Sequence, residues 1–201
     1  MRVELETQYG GTQISLPADD GKTIDCMFIP GIAENEDADL PTIIYCPPNA
    51  MLYEVLLVDD EWLHFYRDLG INLFVWNYRG YGRSQGNPNP AKIYDDAELI
   101  VEYLRSQTNF RISQKIGAHG QSLGGAVAAH LARHCSLDFL LIDRSFSSLD
   151  SVVKASYGKL AFVTLKVLSL FSWNFDTTEN YIYANTYKVI ASDPNDDLIP
   201  D

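Results

Sequence analysis

The chain has 201 residues, with 15 Lys plus Arg against 27 Asp plus Glu and a formal net charge of −12. That length suits a single domain over 1–201 with a substantial apolar core, and the acidic balance argues against nucleic acid as a partner and against adhesion to anionic lipid by charge alone. Three cysteines, Cys26, Cys46 and Cys135, cannot pair completely. Two of them lie in apolar, strand-like surroundings, so buried reduced thiols and a reducing, cytoplasmic compartment are expected.

Met1 is followed by charged and polar residues with no apolar signal core, so neither secretion nor an N-terminal anchor is expected. Residues 3–9 and 12–16 read as short strands, and the turn Asp19-Asp20-Gly21 hands over to a third at 22–30, which predicts an antiparallel entry to the sheet. The acidic stretch 33–39, with Glu34, Glu36, Asp37 and Asp39, reads as a solvated loop. Residues 42–46 then form an apolar run suited to a central strand.

Pro47-Pro48-Asn49-Ala50 follows, and 53–69 carries apolar residues at helical spacing, stopped by Gly70. The next strand is 72–77, and 78–86 is a loop whose glycines permit tight turns. Asn89 and Pro90 supply a cap and a first-turn proline for a helix presenting Ile93, Ala97, Ile100, Val101 and Leu104 on one face. A buried strand at 116–118 leads to the glycine-flanked serine discussed below and to a helix at 123–134. Further strands are predicted at 138–142 and 187–191. This alternation predicts a mostly parallel, doubly wound sheet with its chemistry at the carboxyl ends of the strands. The apolar stretch 160–173 is too short for a membrane span of about 20 residues. It reads as a helix packed on the sheet, with a lid or peripheral membrane contact as the alternative.

Gly120-Gln121-Ser122-Leu123-Gly124 is a G-x-S-x-G motif placed between a predicted strand and a helix of small residues. The spacing answers a steric demand: a serine on a sharp strand-to-helix turn has strained backbone, and only glycine admits the neighbouring strand and helix. Ser122 would then face the amino end of the helix, whose unpaired N–H groups favour an alkoxide or oxyanion. The Leu123 N–H is one expected oxyanion donor. A second belongs in the loop after the 42–46 strand, where Pro47 and Pro48 have no N–H and Asn49 is the first residue able to donate. For the acid of a triad, the predicted strand 187–191 ends near Asp193, Asp196 and Asp197, and Asp143 follows the preceding strand.

The four histidines all precede that acidic cluster. His130 and His134 lie about 12 and 18 Å along the helix from Ser122 and read as helix-surface residues. His119 is expected to fix local backbone, and His64 belongs to another helix. No metal-ligand spacing, P-loop or dinucleotide fingerprint is present, so neither metal nor cofactor is expected.

These words together resemble the α/β-hydrolase superfamily, and within it the eukaryotic branch of phosphatidylserine lipases and related acylglycerol or acyl-protein hydrolases. The resemblance rests on Pro48 to Glu54, on Trp76 to Gly86, on Gly120 to Gly125, on Ile142 to Phe146, and on Asp196 to Pro200. It implies an α/β-hydrolase fold, hydrolysis of an ester or thioester of a lipid-like or acyl substrate, and Asp196 as the triad acid. The family's histidine follows one further strand, beyond Asp201. The sheet is therefore expected to lack its last strand and helix, leaving an edge for a protein partner to cover. The alternative reading is a hydrolase-fold pseudoenzyme serving as an interaction module.

Overall fold

The computed structural model describes residues 1–35, 38–55, 61–108, 110–148 and 175–193. Seven strands form its sheet: β1 Thr12–Pro17, β2 Thr23–Ile29, β3 Leu40–Cys46, β4 Asn72–Trp76, β5 Ile112–Gln121, β6 Phe139–Asp143 and β7 Tyr187–Ala191. Their order is β1-β2-β4-β3-β5-β6-β7. β1 and β2 enter antiparallel, and the pairs from β4 onward are parallel. Helices α1 Arg2–Tyr9, α2 Glu61–Asp68, α3 Pro90–Ser106, α4 Leu123–His134 and α5 Thr177–Tyr183 complete the described elements.

Two apolar clusters lie on the two faces of the sheet. One joins α3 and α4 to Ile44, Phe74, Ile116 and Ile142; the other joins Leu5 of α1 and Leu63 and Tyr66 of α2 to Ile43, Leu73 and Val75. Because side chains alternate along a strand, Ile43 and Ile44 serve opposite faces. α3 begins as its sequence predicts, with Asn89 accepting from the Lys92 N–H at 3.3 Å and Pro90 in the first turn. Cys26 and Cys46 are free and buried, and burial pushes the Cys46 thiol up to about 12.

Residues 3–9 are the clearest departure from expectation, being helical where alternation predicts a strand. Val3 is 67% exposed and Leu5 is the buried residue of the segment, so no strand face exists to bury. Glu, Leu and Gln favour helix, and Gly10 closes it in the left-handed conformation at φ 69°. β5 is also longer than predicted, since polar Ser113 to Lys115 precede its buried half. The predicted helix 53–69 is seen at 53–55 and in α2, with 56–60 outside the described residues, as is the apolar stretch 160–173.

At the amino end of the sheet, buried Asn72 ties four backbone or hydroxyl groups together. Its Oδ1 accepts from the Gly31 N–H at 3.0 Å, and its amide donates to Leu40 O (3.3 Å), Thr42 Oγ1 (3.3 Å) and Arg111 O (3.0 Å).

Candidate active site

The chain leaves β3 toward β4 on one side and returns to β5 on the other, which opens a crevice beyond the carboxyl ends of β3 and β5. In register, Cys46 stands beside Gly120 and Gln121 beside Asp143. The segments following β3, β5 and β6 therefore meet at one place.

Ser122 occupies the turn between β5 and α4 with φ 51° and ψ −116°, a combination that costs a non-glycine residue on the order of 1–3 kcal/mol. Its backbone is held from three sides. The Ser122 N–H donates to Asp143 O at 3.1 Å, and its carbonyl accepts from the Gly125 N–H at 3.0 Å and from Ser145 Oγ at 2.7 Å. Its side chain makes no cap bond to the helix, and the residue is half-buried rather than fully exposed. The glycines answer the steric demand read from their spacing. A Cβ on Gly120 would lie 2.0 Å from Gly124 O, and one on Gly124 would lie 1.9 Å from Cys46 O.

That close approach sets the first turn of α4 against the start of the Pro47 to Asn49 segment. Leu123 opens the helix, where the leading N–H groups have no partner within the helix. Asn49 is exposed, and its side-chain Oδ1 accepts from Tyr81 Oη at 2.9 Å. Buried Tyr78 donates to Pro47 O at 2.7 Å. Gln121 accepts from Tyr45 Oη at 3.2 Å.

Asp196, the favoured acid, lies outside the described residues. Asp143 is buried, and its carboxylate takes a bidentate pair of bonds from Arg144, at 3.0 and 2.9 Å. Arg144 itself has φ 43°, and its N–H donates to Ala191 O at 2.8 Å, which fastens the turn after β6 to β7.

The histidines sit elsewhere. His64 packs edge-on to Tyr9. His119 is fully buried among Tyr45, Trp62 and Tyr66, with Nδ1 3.1 Å from Tyr66 Oη. It thus bonds a side chain of α2 and not the local backbone expected from sequence, because its ring points to the α2 face of the sheet. Burial lowers its pKa to about 4. His130 is not the surface residue the sequence implied: it stacks on Tyr94 at 3.8 Å and its Nε2 lies 2.6 Å from Glu98 Oε1, with His134 stacked on it in turn. Among the described residues, no group of three or more His, Cys, Asp or Glu is arranged to hold a metal ion.

Sequence reasoning missed the tyrosine hydroxyls of Tyr78 and Tyr81 and the buried polar group around Asn77 that brace the segment after β3. The available signal was Asn77 itself, a polar residue closing the apolar run of β4.

Comparison with known proteins agrees with this architecture. The chain is similar to an uncharacterized membrane protein of Saccharomyces cerevisiae, 28% identical over 170 residues, covering 83% of this chain and 57% of the relative. It is also similar to protein bem46 of Schizosaccharomyces pombe, 30% identical over 154 residues, covering 75% of this chain and 48% of that protein. The chain spans about half the length of these relatives. Among solved structures, an α/β hydrolase from Vibrio vulnificus superposes with TM-score 0.76 at 22% identity, over 94% of this chain and 65% of the other. An esterase of Pyrococcus furiosus gives TM-score 0.76 at 16% identity, over 98% and 74%. These likenesses show the α/β-hydrolase fold. The family model described as Chlamydia CHLPS protein (DUF818) matches residues 44–185, from within β3 to just past α5, and the chain belongs to that family.

Proposed function

We propose that the protein is a serine hydrolase that cleaves ester or thioester bonds of lipid-like or acyl substrates through an acyl-enzyme on Ser122. One observation carries the reading: Ser122 is held at positive φ on a turn whose two glycines touch backbone, directly before a helix start. Strained serines at such corners are kept where the strain serves chemistry.

In this mechanism Ser122 Oγ attacks the carbonyl carbon, and the N–H groups of Leu123 and Asn49 receive the oxyanion. Each such donor contributes on the order of 3 kcal/mol to the transition state. Collapse expels the alcohol or thiol and leaves an acyl-serine, which water then cleaves. The family resemblance assigns the orienting acid to Asp196 and the general base to a histidine that follows one further strand. Exposed Met51, two residues after Asn49, is an apolar side chain available to an acyl chain. The yeast relative's description as a membrane protein fits a lipid substrate. No described helix is long and apolar enough to cross a membrane. The free buried cysteines suit a reducing compartment, and we infer a cytoplasmic protein with peripheral membrane contact.

A fluorophosphonate probe applied to the native full-length protein tests this. Labelling of the wild type that disappears in Ser122→Ala is the expected result. An unlabelled, folded wild type would overturn it and favour a hydrolase-fold interaction module.

A further inference from the structure

We propose that helix α1, through Arg2, is a positioning element of this active site: its guanidinium neutralises two buried carboxylates that would otherwise drive the Asn49-bearing segment off β4. The inference rests on the reading of the Asn49 N–H as an oxyanion donor.

The segment from Pro47 to Glu54 is tied down at both ends. At its start, Tyr78 Oη donates to Pro47 O at 2.7 Å. At its end, the Tyr53 N–H donates to Asn77 Oδ1 at 3.1 Å, and Asn77 Nδ2 donates to Glu54 Oε2 at 2.9 Å. The same Nδ2 donates to Asp25 Oδ2 at 3.1 Å. One neutral amide nitrogen therefore faces two carboxylates, on residues 2% and 7% exposed. Like charges held this close in poorly solvated surroundings repel strongly, and Asn77 supplies no charge to offset them.

Arg2 does. Its Nε donates to Glu54 Oε1 at 2.8 Å and its Nη1 to Asp25 Oδ1 at 2.8 Å, while Nη2 reaches both carboxylates. Its guanidinium also lies 5.4 Å from the centre of the Tyr53 ring. The helix that delivers it is otherwise attached through buried Leu5 and half-buried Tyr9, which packs against His64 and Arg67 of α2.

Without the guanidinium, Glu54 gains by swinging to solvent, which withdraws the Tyr53 N–H from Asn77 Oδ1. Asn49 lies four residues upstream, braced by its solvent-exposed bond to Tyr81. Displacement of a reacting or stabilising group by about 1 Å costs roughly a hundredfold in rate, so a loosened Asn49 would be felt at Ser122, although Arg2 touches neither.

The test uses the native full-length protein with two readouts, hydrogen exchange of the amides of residues 49–54 and the second-order rate of fluorophosphonate labelling. Arg2→Met should raise exchange in that segment about tenfold, leave α4 unchanged, and slow labelling at least about tenfold. Arg2→Lys should recover part of both. Arg2→Met combined with Glu54→Gln should recover most of the protection, because only one buried charge remains; this double variant also serves if Arg2→Met does not fold. Exchange that rises throughout the sheet, or no change in either readout for a wild type that labels, would overturn the proposal. A wild type that fails to label while exchange follows the charge pattern would overturn the hydrolase reading and leave the role of Arg2 in ordering the segment standing.

Discussion

His119 gives the fold a defined sensitivity to acid. Its ring is fully buried three residues before Ser122, Nδ1 pairs with Tyr66 Oη, and Nε2 has no hydrogen-bond partner among the described residues. Burial is the main cause of its lowered pKa; Asp143 pulls the other way and Arg144 adds to the lowering, leaving a value of about 4 against the ordinary 6.5. Below pH 6.5 the unfolded chain takes up a proton that the folded chain refuses, so stability falls as pH falls. The loss begins near pH 6.5, runs at about 1.4 kcal/mol per pH unit, and levels off near pH 4, for a total of roughly 3 kcal/mol. Above pH 6.5 this contribution is fully present. Urea unfolding from pH 7.5 to 4, compared between wild type and His119→Gln, isolates the effect, because glutamine retains a partner for Tyr66 and does not titrate. The two stability curves should converge as pH falls. Curves that stay parallel through that interval would refute the assignment of the acid sensitivity to this imidazole.

Two further results are expected. Gly124→Ala should cost about 3 kcal/mol or more through collision with Cys46 O and abolish fluorophosphonate labelling, whereas Gly21→Ala, at φ 76° with open space around it, should cost about 1 kcal/mol and leave labelling unchanged; thermal melts and the probe read both. Asp96→Ala should cost about 3–5 kcal/mol by removing the buried partner of Arg79, which bonds Asp96 at 2.5 and 2.7 Å, and leaving that guanidinium to exposed Asp20. Asp20→Ala, removing the exposed partner of the same guanidinium, should cost under about 1 kcal/mol.

Much of this fold is written in local pattern. The span of α4 and of β7, the Asn89 cap of α3 and the antiparallel start all follow from spacing and turn chemistry, because each depends on neighbours in sequence. The glycines around Ser122 were legible for the same reason: Gly120 and Gly124 are four residues apart and touch each other. α1 was not legible, since Val3, Leu5, Thr7 and Tyr9 alternate like a strand while no described strand lies alongside to pair with them. Nor was the polar group around Asn77, whose members Arg2, Asp25, Glu54 and Asn77 come from four elements and find one another only when the sheet assembles. His119 shows the same limit at a single residue, for its partner Tyr66 sits 53 positions upstream.

The two ends of the sheet are secured by unrelated means. Asn72 stitches the amino end with one amide, while the carboxyl end is held by the close backbone approach at Gly120 and Gly124 together with side-chain bonds from Asn77, Tyr78 and Ser145. Exchanging or lengthening the loops after β3, β4 and β6 would leave that stitch intact, but has to spare Gly120, Gly124 and those bonded side chains as well. Reshaping the carboxyl end is thus only partly separable from keeping the protein folded.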